Sequence, residues 1–110
     1  MRSIVHVSTD DEFDRTVACE RARGLVLSEL DTEIILYADI DAVRMVVDDA
    51  PESERVRSLI DSGVRVLASR ECRELRDVPL ASIIDGVELT GDSTTELTRL
   101  RMEGATYVKT

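Results

Sequence analysis

The stretch Gly63–Ser69, GVRVLAS, decides the fold. Gly63 closes a helix, because glycine takes the left-handed conformation that ends one at little steric cost. Val64, Val66 and Ala68 then begin a buried strand that runs to Ala68. Ser69 stands where a parallel strand opens onto the functional edge of its sheet, beyond the carboxyl end.

Working outward, strand and helix patterns alternate without a low-complexity linker or an internal repeat. Ser3–Ser8 (SIVHVS) alternates as a first strand. Ser8 or Thr9 is expected to cap the next helix, with Asp10, Asp11 and Glu12 in its electropositive first turn. That helix should run to about Leu30 and use Phe13, Val17, Ala18, Leu25 and Val26 as its apolar face. Gly24 inside it predicts close packing against a neighbour. Glu33–Ala38 (EIILYA) is a continuous apolar run, as a strand covered on both faces requires.

A short helix is expected over Ile40–Val47. Pro51 should start another, with Val56, Leu59 and Ile60 as its buried stripe. Beyond the deciding strand, Arg70–Arg76 reads as a short polar helix and Pro79–Ile84 as a turn or second short helix. Val87–Thr90 is the fourth strand, Ser93–Met102 the last amphipathic helix and Ala105–Lys109 the last strand. This alternation requires crossover connections, hence a three-layer α/β/α architecture with a mainly parallel five-stranded sheet.

Composition narrows the function classes. A chain of 110 residues forms one domain, residues 1–110. Hydrophobic residues make up 43%, with Phe13, Tyr37 and Tyr107 as the aromatics, so the core is aliphatic. No apolar run approaches the roughly 20 residues of a membrane span, and MRSIVHVS turns polar too early for a signal-peptide core. A cytoplasmic protein without a membrane partner is expected. The 23 acidic against 14 basic residues give a net charge of -9, which argues against nucleic-acid binding. Every basic residue but Lys109 is arginine. An acidic, lysine-poor surface suits a salt-rich cytoplasm, and codon bias in a GC-rich genome produces the same composition.

Cys19 and Cys72 are too few for a disulfide framework, and with His6 as the one histidine no single-chain zinc site is expected. P-loop and dinucleotide glycine fingerprints are missing, and no cofactor is expected. The Asp10-Asp11 pair is shared with phosphate-accepting receiver domains, but Ser69 holds the place where those need an aspartate. A serine hydrolase would need His6 to reach Ser69 across the sheet, and no G-x-S-x-G elbow is present. His6 on a buried strand reads as a satisfied core or interface histidine.

In an open parallel sheet, Ser8, Thr9, Asp10, Asp39, Asp41, Ser69, Arg70 and Cys72 converge at the carboxyl edge. With Ser69 as helix cap, Cys72 lies in the first turn between Arg70 and Arg73. Helix terminus and guanidinium groups both favour a thiolate, while Glu71 and Glu74 cancel much of that charge. Cys72 is thus either a reactive thiol or a small residue packed under the loop. Cys19 has the spacing of a core-edge residue.

Gly63-Val64, Gly86-Val87, Glu96-Leu97 and Glu103-Gly104 ahead of Tyr107-Val108-Lys109 stand at intervals similar to those of the DsrE/DsrF-like sulfur-relay family. The chain resembles that family over nearly its whole length. The resemblance implies a cysteine at the end of the third strand that carries a persulfide between sulfur-transfer partners. Ser69 occupies that place, and a hydroxyl cannot hold a sulfane sulfur. Glu71-Cys72 replaces the Asn-Thr pair that often follows the cysteine, and Ala38-Asp39 replaces a His-Gly pair on the second strand. Two functions remain open. In one, Cys72 substitutes for the usual thiol. In the other, the chain is a non-catalytic binding or assembly subunit using Ser8, Thr9, Asp39, Ser69, Arg70 and Arg73. The resemblance also implies a homo-oligomer, a trimer or hexamer, and a sulfur-transfer protein as partner. The runs Leu25–Leu27 and Met45–Val47 exceed one buried stripe and predict contact surface.

Overall fold

The computed structural model describes residues 1–31 and 33–110. Five strands, β1 (Arg2–Val7), β2 (Glu33–Ala38), β3 (Arg65–Ser69), β4 (Glu88–Thr90) and β5 (Thr106–Lys109), form one sheet in the order β4-β3-β2-β1-β5. Every strand pairing is parallel, as expected. The register sets His6 beside Tyr37 on one side and Lys109 on the other, and Ser69 beside Thr90. All carboxyl ends therefore share one edge.

Side chains alternate across the sheet. Val5, Val7, Leu36, Ala38, Val66 and Ala68 face α1 (Glu12–Ser28), the 3₁₀ segment Ile40–Val46 and α2 (Ser53–Asp61), which supply Ala18, Cys19, Ala22, Val43, Met45, Val56 and Leu59. Ile4, Ile35, Tyr37 and Leu67 face the other way, under Leu97 and Leu100 of α4 (Ser93–Met102). The three layers are thus unequal: one helix covers the second face. The remaining connection contains α3 (Arg70–Leu75) and a 3₁₀ turn at Leu80–Ser82. An antiparallel bridge between Val47 and Ile83 ties it to the segment after β2.

Several local expectations need correction. Asp11 caps α1, accepting from the Asp14 N–H at 2.9 Å, while Thr9 Oγ1 accepts from the Asp11 N–H and Ser8 turns inward. The helix ends at Ser28, because Glu29 adopts the left-handed conformation and folds its N–H back on the Val26 carbonyl. Ala18 is buried and Leu25 and Val26 pack on the core as expected, but Phe13 is 75% exposed, and Arg15, Cys19 and Ala22 complete the buried stripe. Gly24 has open space around it, so close packing does not account for it. The helix after Pro51 begins at Ser53, and Ile40–Val46 winds as a 3₁₀ helix. Met45 and Val46 are fully buried in the core, and only Leu27 of the two apolar runs is strongly exposed.

Gly86 is a position where only glycine fits. Its φ is +98°, and an added Cβ would meet Ile60 Cγ2 at 3.0 Å. This tight turn brings the chain back to the sheet for β4.

Candidate functional site: a polar cluster at the carboxyl edge

The strands β5, β1 and β2 deliver Lys109, Tyr107, His6 and Asp39 to the face covered by α4, and Ser8 follows directly after β1. Their hydrogen bonds converge on one carboxylate. His6 Nε2 lies 2.8 Å from Asp39 Oδ1, and Ser8 Oγ donates to the same oxygen at 2.5 Å. The Tyr107 hydroxyl is 2.6 Å from His6 Nδ1, and Lys109 Nζ donates to Ser8 Oγ. With the ring proton on Nε2, every donor finds an acceptor: Tyr107 to His6, His6 to Asp39, and Lys109 through Ser8 to Asp39.

Asp39 is 5% exposed and His6 8%, so the bond between them acts in a medium where water does not compete. Burial alone would raise the Asp39 carboxyl, but hydrogen bonds from His6 and Ser8 outweigh it and hold the group below its ordinary value. Burial lowers the Lys109 ammonium, with Asp39 opposing. Ile40, next in the chain, has φ +52°, a strained conformation for a β-branched residue. That turn sends the backbone out of the sheet directly after Asp39, whose side chain stays inside.

The cluster continues across the sheet through Tyr37. Its ring meets that of His6 edge-on at 6.0 Å between centroids, and its hydroxyl lies 2.6 Å from Thr90 Oγ1. Burial pushes the Tyr37 hydroxyl up to about 12, so it stays protonated. The Arg101 guanidinium stacks 4.6 Å from the centre of the Tyr107 ring.

Ser69 is 1% exposed, and its hydroxyl accepts from the Cys72 N–H at 3.2 Å, which caps α3 as expected. Cys72 is half-buried against the aliphatic core. Arg73 is drawn away: it donates to the Val78 carbonyl at 2.8 Å and pairs with Glu74. Arg70 is exposed, and Thr9 serves the turn before α1. Of the residues singled out from the sequence, Ser8 and Asp39 share one cluster, and Ser69 and Cys72 share another. Cys19 is 2% exposed, with its thiol pushed up to about 12, chiefly by burial.

His6, read from the sequence as a satisfied core histidine, and Tyr107, Lys109, Tyr37 and Thr90 are the members that sequence reasoning did not place in the site. Their signal lay in strand order, which local pattern does not carry: β5 had to be known to lie beside β1 before Lys109 could reach Ser8. A separate buried pair, Arg15 and Glu52, joins α1 to α2, with Arg15 Nε 2.7 Å from Glu52 Oε1. The contact lacks hydrogen-bond geometry and is an electrostatic strut. Among the described residues no group of His, Cys, Asp and Glu side chains has the arrangement of a metal site, and no helix is long and apolar enough to cross a membrane.

No protein-family model and no curated protein matches the chain. Its fold recurs in solved structures. The protein of unknown function MTH1491 from Methanobacterium thermoautotrophicum superposes with a TM-score of 0.92 at 22% identity, over 99% of this chain and 98% of that one. The ychN protein from E. coli gives a TM-score of 0.79 at 20% identity, over the whole of both chains. The conserved protein of unknown function BT1422 from Bacteroides thetaiotaomicron gives 0.80 at 17%, over 98% of this chain and 94% of that one. The chain shares their fold. Identity at this level carries the fold alone.

Proposed function

We propose that this chain is a DsrE/DsrF-like protein that binds a small polar ligand or a partner segment at its carboxyl edge and does not carry sulfur at the end of its third strand. The observation that supports this most is Ser69. Its oxygen is buried, accepts from the Cys72 N–H, and has no thiol chemistry. Beside it stands the convergent cluster of His6, Asp39, Ser8, Tyr107 and Lys109, whose outer members, Ser8 and Lys109, reach the surface. On the same reading the protein is a cytoplasmic homo-oligomer, a trimer or hexamer.

A second reading has its own support. Cys72 is the more accessible of the two thiols and lies one helical turn from the place where the family carries its persulfide. Under it, Cys72 is the carrier of a sulfur-relay protein and receives sulfur from a partner protein. Incubation with a persulfide donor followed by peptide mass spectrometry separates the two. The binding reading expects Cys72 to gain no transferable sulfur. A persulfide on Cys72 that passes to an acceptor thiol establishes the relay reading in its place.

A further inference from the structure

Helices α1 and α2 cover the face of the sheet opposite α4, and a cleft of about 480 Å³ stays open between them. Its floor is apolar. Cys19 and Leu59 are buried there, and Val26 packs half-buried on the same core. Leu27 lines the α1 side and is strongly exposed. A volume of this size lies within the range of small-molecule sites, roughly 300–1,000 Å³.

The charges at the mouth do not balance. Glu20 pairs with two guanidinium groups, those of Arg55 and Arg23, the second only at 3.6 Å. Among the described residues Arg23 donates no hydrogen bond. The other carboxylate of the lining, Glu54, is turned to solvent and taken up by Arg57. One positive charge is thus left over above an apolar floor, in a chain of net charge -9. Other clefts differ in sign. One gathers Asp48, Asp61 and Asp85 around Arg57, and another Glu29, Asp31 and Glu33. On the outer side of α4, Arg99 is held between Glu96 and Glu103.

We propose that the cleft between α1 and α2 binds a small monocarboxylate with an apolar tail, of the medium-chain fatty acid type. The tail lies on Cys19, Val26, Leu27 and Leu59. The carboxylate meets Arg23, whose planar fork of donors suits two oxygens at once. An exposed ion pair alone contributes little in water, so burial of the tail supplies most of the affinity and the guanidinium selects the head. This site goes beyond the reading of the carboxyl edge and is independent of it, because the polar cluster there faces α4 on the other side of the sheet.

The test is titration of the full-length protein at pH 7, followed by calorimetry and by NMR of the backbone amides. Decanoate is the probe, with octanoate and decyltrimethylammonium for comparison. Decanoate should saturate at one per chain and shift amides of α1 and α2. Each methylene taken from water strengthens binding by up to about fourfold, so octanoate should bind about five- to fifteenfold more weakly. The net charge of the protein favours the cation everywhere else, so a preference of at least about tenfold for decanoate over decyltrimethylammonium has to come from the cleft. Arg23→Gln should weaken decanoate about fivefold, and Leu27→Asn should weaken it as well. Both residues are exposed, so neither variant should lose its fold, which circular dichroism verifies. Absence of saturable binding overturns the proposal, as do shifts centred outside α1 and α2, equal affinity for the cation, or a folded Arg23→Gln variant that binds as tightly as the parent. If a second copy of the chain occupies the cleft instead, decanoate does not bind and Leu27→Asn lowers the mass seen by light scattering, which also overturns it. None of these outcomes bears on Ser69 and Cys72, whose reading is decided by sulfur loading.

Discussion

Replacing Asp39 by alanine removes the carboxylate on which the edge cluster converges. Two hydrogen bonds to a charged acceptor are lost, from His6 Nε2 at 2.8 Å and Ser8 Oγ at 2.5 Å. Each is worth about 1.5–3 kcal/mol, and at 5% exposure solvent screening does little to reduce them. Two effects work the other way. The penalty for burying the carboxylate disappears, and Ser8 can rotate toward water. The net expectation is a loss of about 2–4 kcal/mol at pH 7, or roughly 8–16 °C in melting temperature for a chain of this size.

The pH dependence carries the distinctive sign. Asp39 is held below its unfolded value of 3.8, so its stabilisation is fully present above that value and is lost as pH falls through the folded one. Urea unfolding followed by circular dichroism, at pH values from 7 down to 3, should show the gap between parent and variant narrowing below about pH 4. A loss under about 1 kcal/mol at pH 7, or a gap that stays the same at pH 3, refutes the convergent network.

Cys72 should react with iodoacetamide before Cys19 in the native protein, because Cys19 is 2% exposed and its thiol is raised to about 12; equal rates in a mass-spectrometric time course contradict this. Gly86→Ala places a Cβ 3.0 Å from Ile60 at φ +98°, and should cost about 1–3 kcal/mol by chemical denaturation; a neutral effect would show that the turn relaxes freely. With a net charge of -9, the melting temperature should climb from low to molar potassium chloride, and a flat response argues against adaptation to a salt-rich cytoplasm. Light scattering in high salt should give a trimer or hexamer, whereas a mass near the 12.3 kDa monomer rejects self-association.

The sheet was legible because its central strands are continuous apolar runs bounded by glycine and charged turns. Glu33–Ala38 falls at the expected residues, and Gly63 closes α2 with the expected positive φ. The register of helix faces was less so. Phe13 looks like a core residue by spacing, yet it is exposed, and Arg15, Cys19 and Ala22 join Ala18 on the buried side. A buried arginine paired in charge with Glu52, at the start of another helix, leaves no periodic trace in either segment. At the site, the Ser69 cap and the position of Cys72 follow from local spacing. The meeting of Ser8, His6 and Asp39 with Tyr107 and Lys109 depends on β5 pairing with β1, a contact between the two ends of the chain. Only the assembled sheet reveals it.

The measurement that bears most directly on the absence of strand-end sulfur carriage is a single-turnover sulfur-transfer experiment. The reduced native protein is loaded with a persulfide donor, cleared of excess reagent, and mixed with an acceptor thiol while its intact mass is followed. The account predicts no sulfur delivered to the acceptor, because the strand end carries the Ser69 hydroxyl in place of a thiol. One sulfur atom gained at Cys72 and passed quantitatively to the acceptor would contradict it.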